Sequence, residues 1–267
     1  MKNKLVITGL LLIAVVLILP NPVSATLQIA VTAYDTTNTA DFSSNVIVDN
    51  GPGDTNLNPG VIKLADGFEP IPDLVVQGSV HSSTHGISYN LLKSSSLTVT
   101  NEKTAPARAY VAVSDTDFEP RATLADVTGS GTFVEAGGST FYMSYWNDPA
   151  NGQGANNVFS NYADFAANAG QLTPGSKVNE FGPFTAGAGL DSFDNDLDDI
   201  SVSDTKQYSM TLLFDFTLTP DGTLETRSQA MVKNIVATPE FPSLALPAGM
   251  IIGLLGAVLF VRRTGEE

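Results

Sequence analysis

The sequence predicts an all-β protein: a β-sandwich ectodomain flanked by an N-terminal signal peptide and a C-terminal transmembrane helix. Three observations predict it. Apolar residues recur at every second position in several stretches rich in Val, Thr, Tyr and Phe, the period of a sheet with one buried face. Turns rich in Gly, Pro, Asn and Asp separate these stretches, with one clear helical pattern among them. Two uncharged apolar runs stand apart at the ends of the chain.

The first run, residues 5–19, follows Lys2 and Lys4 and ends at Pro20 and Pro22, with Val23 and Ala25 at the spacing a signal peptidase favours. Residues 1–25 therefore read as a secretory signal peptide. The second run spans 244–261. At 1.5 Å rise per residue it makes about 27 Å of helix, close to a hydrocarbon core of about 30 Å. Arg262 and Arg263 follow it and by the positive-inside rule stay in the cytoplasm. Residues 26–237 are then expected outside the cell as one β-sandwich domain.

Asp and Glu number 28 against 13 Lys and Arg, a formal net charge of −15. Such a surface repels nucleic acid and anionic lipid and attracts cations. The chain has no cysteine, which excludes disulfides, thiol nucleophiles and iron–sulfur clusters. It has no Asn-x-Ser/Thr sequon, so N-glycosylation is not expected.

Strands are expected over 27–34, 74–80, 95–100, 107–114, 139–146, 208–219 and 224–232. In "ARAYVAVS", Ala107, Ala109, Val111 and Val113 share one face. In "YSMTLLFDFTLT", Tyr208, Met210, Leu212, Phe214, Phe216 and Leu218 share one, with Ser209, Thr211, Asp215 and Thr217 opposite. "NEKTAP" (101–106) and "TPDGT" (219–223) read as hairpin turns, the latter with Gly222 at positive φ. A helix is expected within 157–170, with Gly170 as its C-cap. The polar stretch 147–189 is either an insertion over one sheet or a flap. "GSG" (129–131) and "GAG" (187–189) read as glycine turns.

Two acidic stretches are candidates for calcium, which takes six to eight oxygens. "DNGPGDTNLNPG" (49–60) offers Asp49 and Asp54 among turn residues. "DSFDNDLDDISVSD" (191–204) offers Asp191, Asp194, Asp196 and Asp198, although Asp199 stands where an EF-hand loop needs Gly and Thr205 where it needs Glu. The first is equally a plain cluster of turn residues, and the second a solvated acidic loop. "HSSTH" holds the only two histidines, His81 and His85. On a strand they lie about 13 Å apart, so polar loop residues are expected rather than a zinc pair. Tyr142, Tyr145 and Trp146 offer either core packing or an aromatic platform for a sugar. No nucleophile elbow, P-loop or dinucleotide fingerprint occurs, so no enzyme activity is expected.

The tail "TPEFPSLALPAGMIIGLLGAVLFVRR" carries Pro239, Glu240, Phe241 and Pro242 ahead of the apolar span and the basic pair. Residues 238–267 resemble the PEF-CTERM sorting signal of archaeal surface proteins, similar in plan to the bacterial PEP-CTERM signal. The resemblance covers about a tenth of the chain. It implies processing by an archaeosortase-type membrane enzyme and attachment to membrane lipid at the outer face of the cytoplasmic membrane. The outer region, from "DNGPGDTNLNPGVI" onward, resembles ectodomains of PEP-CTERM-type surface proteins, which implies a β-sandwich and no catalytic residue. The expected function is a structural or adhesive role in the archaeal envelope or extracellular matrix, with surface glycans or other envelope proteins as partners. The alternatives are a carbohydrate-binding module, which requires exposed rings, and a secreted hydrolase, which requires a deep cleft with two carboxylates.

Overall fold

Alternating burial organises the molecule. The computed structural model describes residues 26–86, 89–119, 124–202 and 206–233; the signal peptide (1–25) and the whole tail, including Pro239–Pro242 and the apolar run 244–261, lie outside them. Among the described residues no helix is long and apolar enough to cross a membrane. The elements are β1 (Gln28–Asp35), β2 (Phe42–Val48), β3 (Val61–Lys63), β4 (Phe68–Ile71), β5 (Leu74–His85), β6 (Tyr89–Asn101), β7 (Ala107–Phe118), β8 (Leu124–Val134), β9 (Thr140–Asp148), α1 (Tyr162–Asn168) with a 3-10 turn (Ala169–Leu172), β10 (Ser176–Thr185), β11 (Asp191–Ser201), β12 (Tyr208–Leu218) and β13 (Thr223–Lys233).

The strands form two antiparallel sheets. Sheet 1 has the order β10-β9-β12-β7-β1-β2, and sheet 2 the order β11-β8-β13-β6-β5-β3, with β4 also paired to β5. Each sheet turns one face to a shared core. Ala107, Ala109, Val111 and Val113 of β7 and the row from Met210 to Leu218 of β12 enter it as expected. Tyr145, Tyr208, Phe118, Phe133, Phe141, Phe214 and Phe216 are its largest fully buried side chains, each worth about 1.5–3 kcal/mol on burial.

The two expected hairpins are not hairpins. β6 and β13 belong to sheet 2, β7 and β12 to sheet 1, so 101–106 and 219–223 are arches that carry the chain across the core. Alternation tells that a strand has one buried face, not which strand it pairs with. Buried Asn101 ties both arches together: its Nδ2 donates to Ala105 O (3.0 Å), Leu218 O (3.0 Å) and Thr219 O (3.1 Å). In the second arch Asp221, not Gly222, takes positive φ (60°). Gly222 is needed for closeness instead, since a Cβ there would lie 3.0 Å from Thr219 O.

The stretch between β9 and β10 is an insertion over the outer face of sheet 1; the rest of the polar run expected as insertion or flap is instead largely β10, the edge strand of that sheet. Its helix starts at Asn161, whose Oδ1 accepts from Asp164 N (3.0 Å). It ends at Ala169 without a glycine cap, because Gly170 lies inside the 3-10 turn that follows. Phe159, Phe165 and Leu172 pack with Tyr34, Ala30 and Ala112 in a second, smaller core. This cover explains why Ser209 and Thr211, on the polar face of β12, are buried. Thr211 Oγ1 donates to Ser114 Oγ (2.9 Å), which accepts from Gly154 N of the insertion (3.0 Å).

β8 and β11 replace an expected glycine turn and an expected acidic loop. Gly129 and Gly131 sit mid-strand in β8 and face the core. A Cβ on Gly129 would lie 2.6 Å from Met143 Sδ; one on Gly131 would lie 2.5 Å from Phe193 Cζ and 2.7 Å from Glu225 O. Gly129 thus lets sheet 2 approach Met143 of sheet 1 more closely than any other residue allows, while Gly131 makes room for the close approach of Phe193 of β11 and the Glu225 carbonyl of β13 within sheet 2. Phe193 pins acidic β11 by stacking on Phe184 (4.5 Å) and Phe141 (4.9 Å). Gly131→Ala should therefore cost about 1–3 kcal/mol by overpacking, while Ser130→Ala on the outward face stays within about 0.5 kcal/mol. Urea unfolding of the two variants checks this; equal stabilities would contradict the close approach.

Candidate functional site

A groove crosses four strands of sheet 2 on its outer face. Two local features mark it. Glycines 129 and 131 leave the inward face of β8 without side chains at these two positions, while Ser130 and Thr132 on its outward face line the groove. The β6–β13 register then shifts between the Thr226–Leu97 and Ser228–Ser94 pairs, so Ser95 and Ser96 stand opposite Arg227 alone. Such a bulge bends the strand and widens the hollow.

The main hollow measures about 450 Å³ and is lined from β6 by Ser95, Ser96 and Thr98, from β13 by Glu225 and Arg227, from β8 by Ser130 and Thr132, and from β11 by Ser192 and Asp194. A second hollow of about 290 Å³ continues it along the strands toward Lys93, Thr128 and Gln229, sharing Ser130, Asp194 and Arg227 with the first. These three lie side by side on β8, β11 and β13 and form a rib between the hollows. Both volumes suit part of a ligand of the size that protein clefts hold, about 300–1,000 Å³.

The rib is partly organised. Arg227 Nε donates to Ser130 Oγ (3.0 Å), which steadies the side chain and leaves the terminal nitrogens of the fork pointing onward. Thr132 Oγ1 and Ser192 Oγ share a hydrogen bond (3.1 Å) at the far wall. Five other basic side chains, Lys63, Lys103, Arg108, Lys177 and Lys233, pair with carboxylates. Among the described residues Lys93, Lys206 and Arg227 have no carboxylate within ion-pair distance, although Asp194 and Glu225 share the groove with Lys93 and Arg227.

The residues singled out from sequence fall in several places. Asp194 reaches the groove, on strand β11 rather than in a loop. Asp191 closes the turn before β11 by accepting from Gly187 N (2.9 Å). Asp196 and Asp198 are exposed along the strand. In 49–60, Asp49 accepts from Gly60 N (2.7 Å), and Asp54 accepts from Asn50 N (2.9 Å), Asn56 N (2.8 Å) and Lys63 N (3.0 Å). These bonds account for the loop. No group of three or more Asp, Glu and His side chains among the described residues is arranged to hold a metal ion. Calcium thus remains an expectation of composition, with no ligand set assembled in the described fold.

Neither histidine lies in a loop, because β5 runs on to His85. His81 is fully buried, and that burial pushes its imidazole down to about 3. His85 Nε2 lies 2.9 Å from Asp115 Oδ2, and its ring stacks on Phe118 at 4.2 Å. Tyr145 is wholly in the core, so the three-ring platform does not form. Tyr142 and Trp146 share the other face of β9, both half-buried. The Trp146 indole donates to Ser144 Oγ (2.8 Å), while Asp215, opposite Tyr142, is held by both nitrogens of an Arg108 fork (2.8 and 2.9 Å).

Arg227, Ser130, Lys93 and Glu225 had no sequence signal of their own. They are ordinary outward residues of strands, and only the pairing of the strands brings them around one hollow.

No protein-family model and no curated protein matches the chain. Solved structures give distant likenesses. A carbohydrate-binding module, TmCBM61, in complex with β-1,4-galactotriose is 14% identical over 57% of this chain and 81% of its own, with a TM-score of 0.23. The module CBM36 in complex with calcium and xylotriose is 14% identical over 49% and 76%, at 0.24. The adhesin domain of Epf from Streptococcus pyogenes is 9% identical over 77% and 58%, at 0.30. These likenesses are too distant to assign a ligand, metal or activity to this chain.

Buried His81 generates a pH dependence. Unfolded, the imidazole titrates near its ordinary value of 6.5; folded, it stays neutral down to about 3. As pH falls below about 6.5 the unfolded chain takes up a proton that the fold refuses, so stability falls. The contribution is at most about 1.4 kcal/mol per pH unit. Urea unfolding between pH 7 and 4.5 should show a shallower loss for His81→Gln than for the native chain; parallel curves would contradict it.

Proposed function

We propose that this is an exported protein of the cell envelope, held at the outer face of the cytoplasmic membrane, whose β-sandwich binds extracellular glycans through the groove of sheet 2 and so serves adhesion or matrix structure. The groove is the observation that carries the binding part. It is open and polar, spans four strands, and presents hydroxyls beside charged hydrogen-bonding groups, which suits an extended hydroxyl-rich polymer. The signal-peptide pattern and the tail resembling PEF-CTERM support export, processing by an archaeosortase-type enzyme and attachment to membrane lipid. Other envelope proteins are the second class of partner.

We assign no catalytic role. Asp194 and Glu225 are the groove's carboxylates, two strands apart and one outward step along them, which sheet spacings convert to about 12 Å between Cα atoms. The hollow is shallow and open, and it does not enclose a bond between them as a glycosidase cleft does.

The attachment part is tested by the intact mass of the protein from its native membrane. The proposal predicts a chain starting near Thr26 and ending near Pro239 with a lipid mass added. A chain running through Glu267 would overturn the processing step.

A further inference from the structure

Resting on the glycan assignment above, we infer that the groove selects a neutral polysaccharide, gripped at the Arg227–Ser130–Asp194 rib through pairs of adjacent hydroxyls.

The charges in the groove set this choice. The two hollows together hold Lys93 and Arg227 against Asp194 and Glu225, a balance of charge within a chain of net −15. A polyanion approaching this face meets Asp194, Glu225 and, one outward step along β11, exposed Asp196, with the field of the whole chain against it. A neutral chain meets no such barrier. It leaves the desolvation of four charged groups to be offset by hydrogen bonds alone, and neutral sugars supply these densely.

The rib supplies complementary partners. The terminal nitrogens of Arg227 only donate, and an ionised Asp194 only accepts. Adjacent hydroxyls of a sugar ring match such a pair: one accepts from the guanidinium while its neighbour donates to the carboxylate. Hydrogen bonds to charged groups are worth about twice neutral ones, so the rib carries more of the binding than the hydroxyl walls. Ser130 fixes the Arg227 fork through Nε, which lowers the ordering cost of that side chain.

Recognition through the rib also fits what the groove lacks. Among the described residues its only ring is that of Phe193, which turns inward to stack on Phe141 and Phe184. Stacking on the apolar face of a sugar is therefore not its means of recognition. Selectivity must come from hydrogen-bond geometry along the chain, with one hollow on each side of the rib for a flanking sugar.

The test is affinity electrophoresis of the full chain in native gels. The gels contain a soluble neutral glucan, a galactan, a mannan or polygalacturonate, at about 50 and 500 mM salt, with unfolding curves run alongside as a check of fold. The inference predicts retardation by at least one neutral polysaccharide, unchanged by salt because no counterions are released. Arg227→Ala and Asp194→Asn should each weaken it at least tenfold while melting as the native chain does. Retardation by polygalacturonate alone, lost at high salt, would overturn the neutral assignment and leave the glycan function standing. Retardation by a neutral glycan that both variants keep would overturn the rib. No retardation in any gel would overturn the inference and the glycan function together.

Discussion

The structure depends on how closely two sheets can approach at one place. At Gly129 the backbone of β8 lies against Met143 and Phe181 of sheet 1, and at Gly131 against Phe193 of its own sheet, without an intervening side chain. On the opposite side of the strand Ser130 and Thr132 line the groove, and the bulge of β6 opposite Arg227 borders it. Phe193, which fills the space beneath Gly131, also holds acidic β11 in the sheet. A strand with so many outward carboxylates is a poor partner for further strand pairing, so the same residues that complete the groove protect the edge of sheet 2.

The two outer faces solve different problems. Sheet 1 is covered by the insertion after β9, and its polar rows become a buried lattice of hydroxyls in which Ser114, Thr211, Thr32 and Ser44 are bonded to one another or to the insertion backbone. Sheet 2 keeps its outer face open, with the charges of the groove uncommitted. Burial of one face supports stability, and exposure of the other leaves the groove open to solvent. Charge divides the same way: Arg108 is locked by Asp215 on sheet 1, whereas Arg227 on sheet 2 is steadied only by a serine hydroxyl.

Much of the sandwich was legible in the sequence because period-two alternation reports a buried face directly. The rows of β7 and β12 were readable residue by residue. What alternation does not report is pairing, so two arches looked like hairpins. β8 was lost because two glycines in three residues resemble a turn, when their role is to let backbone meet side chain. β11 was lost because the aspartates mask Phe193 and Ile200, the two residues of the strand that pack against the core. The histidines looked like loop residues since no local pattern shows that β5 continues through Ser82, Ser83 and Thr84. The groove itself was illegible: its residues come from four strands, and serines and threonines on the outward face of a strand carry no signal until register is known.

The central claim is that the ligand sits on sheet 2 across Arg227. A proton–nitrogen correlation spectrum recorded during titration with a soluble neutral glycan tests it most directly. Trp146, the single tryptophan of the chain, lies on sheet 1 and gives one indole signal; Arg227 Nε–H lies at the rib. The account predicts that the Arg227 signal shifts as ligand is added and the Trp146 signal stays in place. A moving Trp146 signal beside a static Arg227 signal would place the ligand on the other sheet and contradict it.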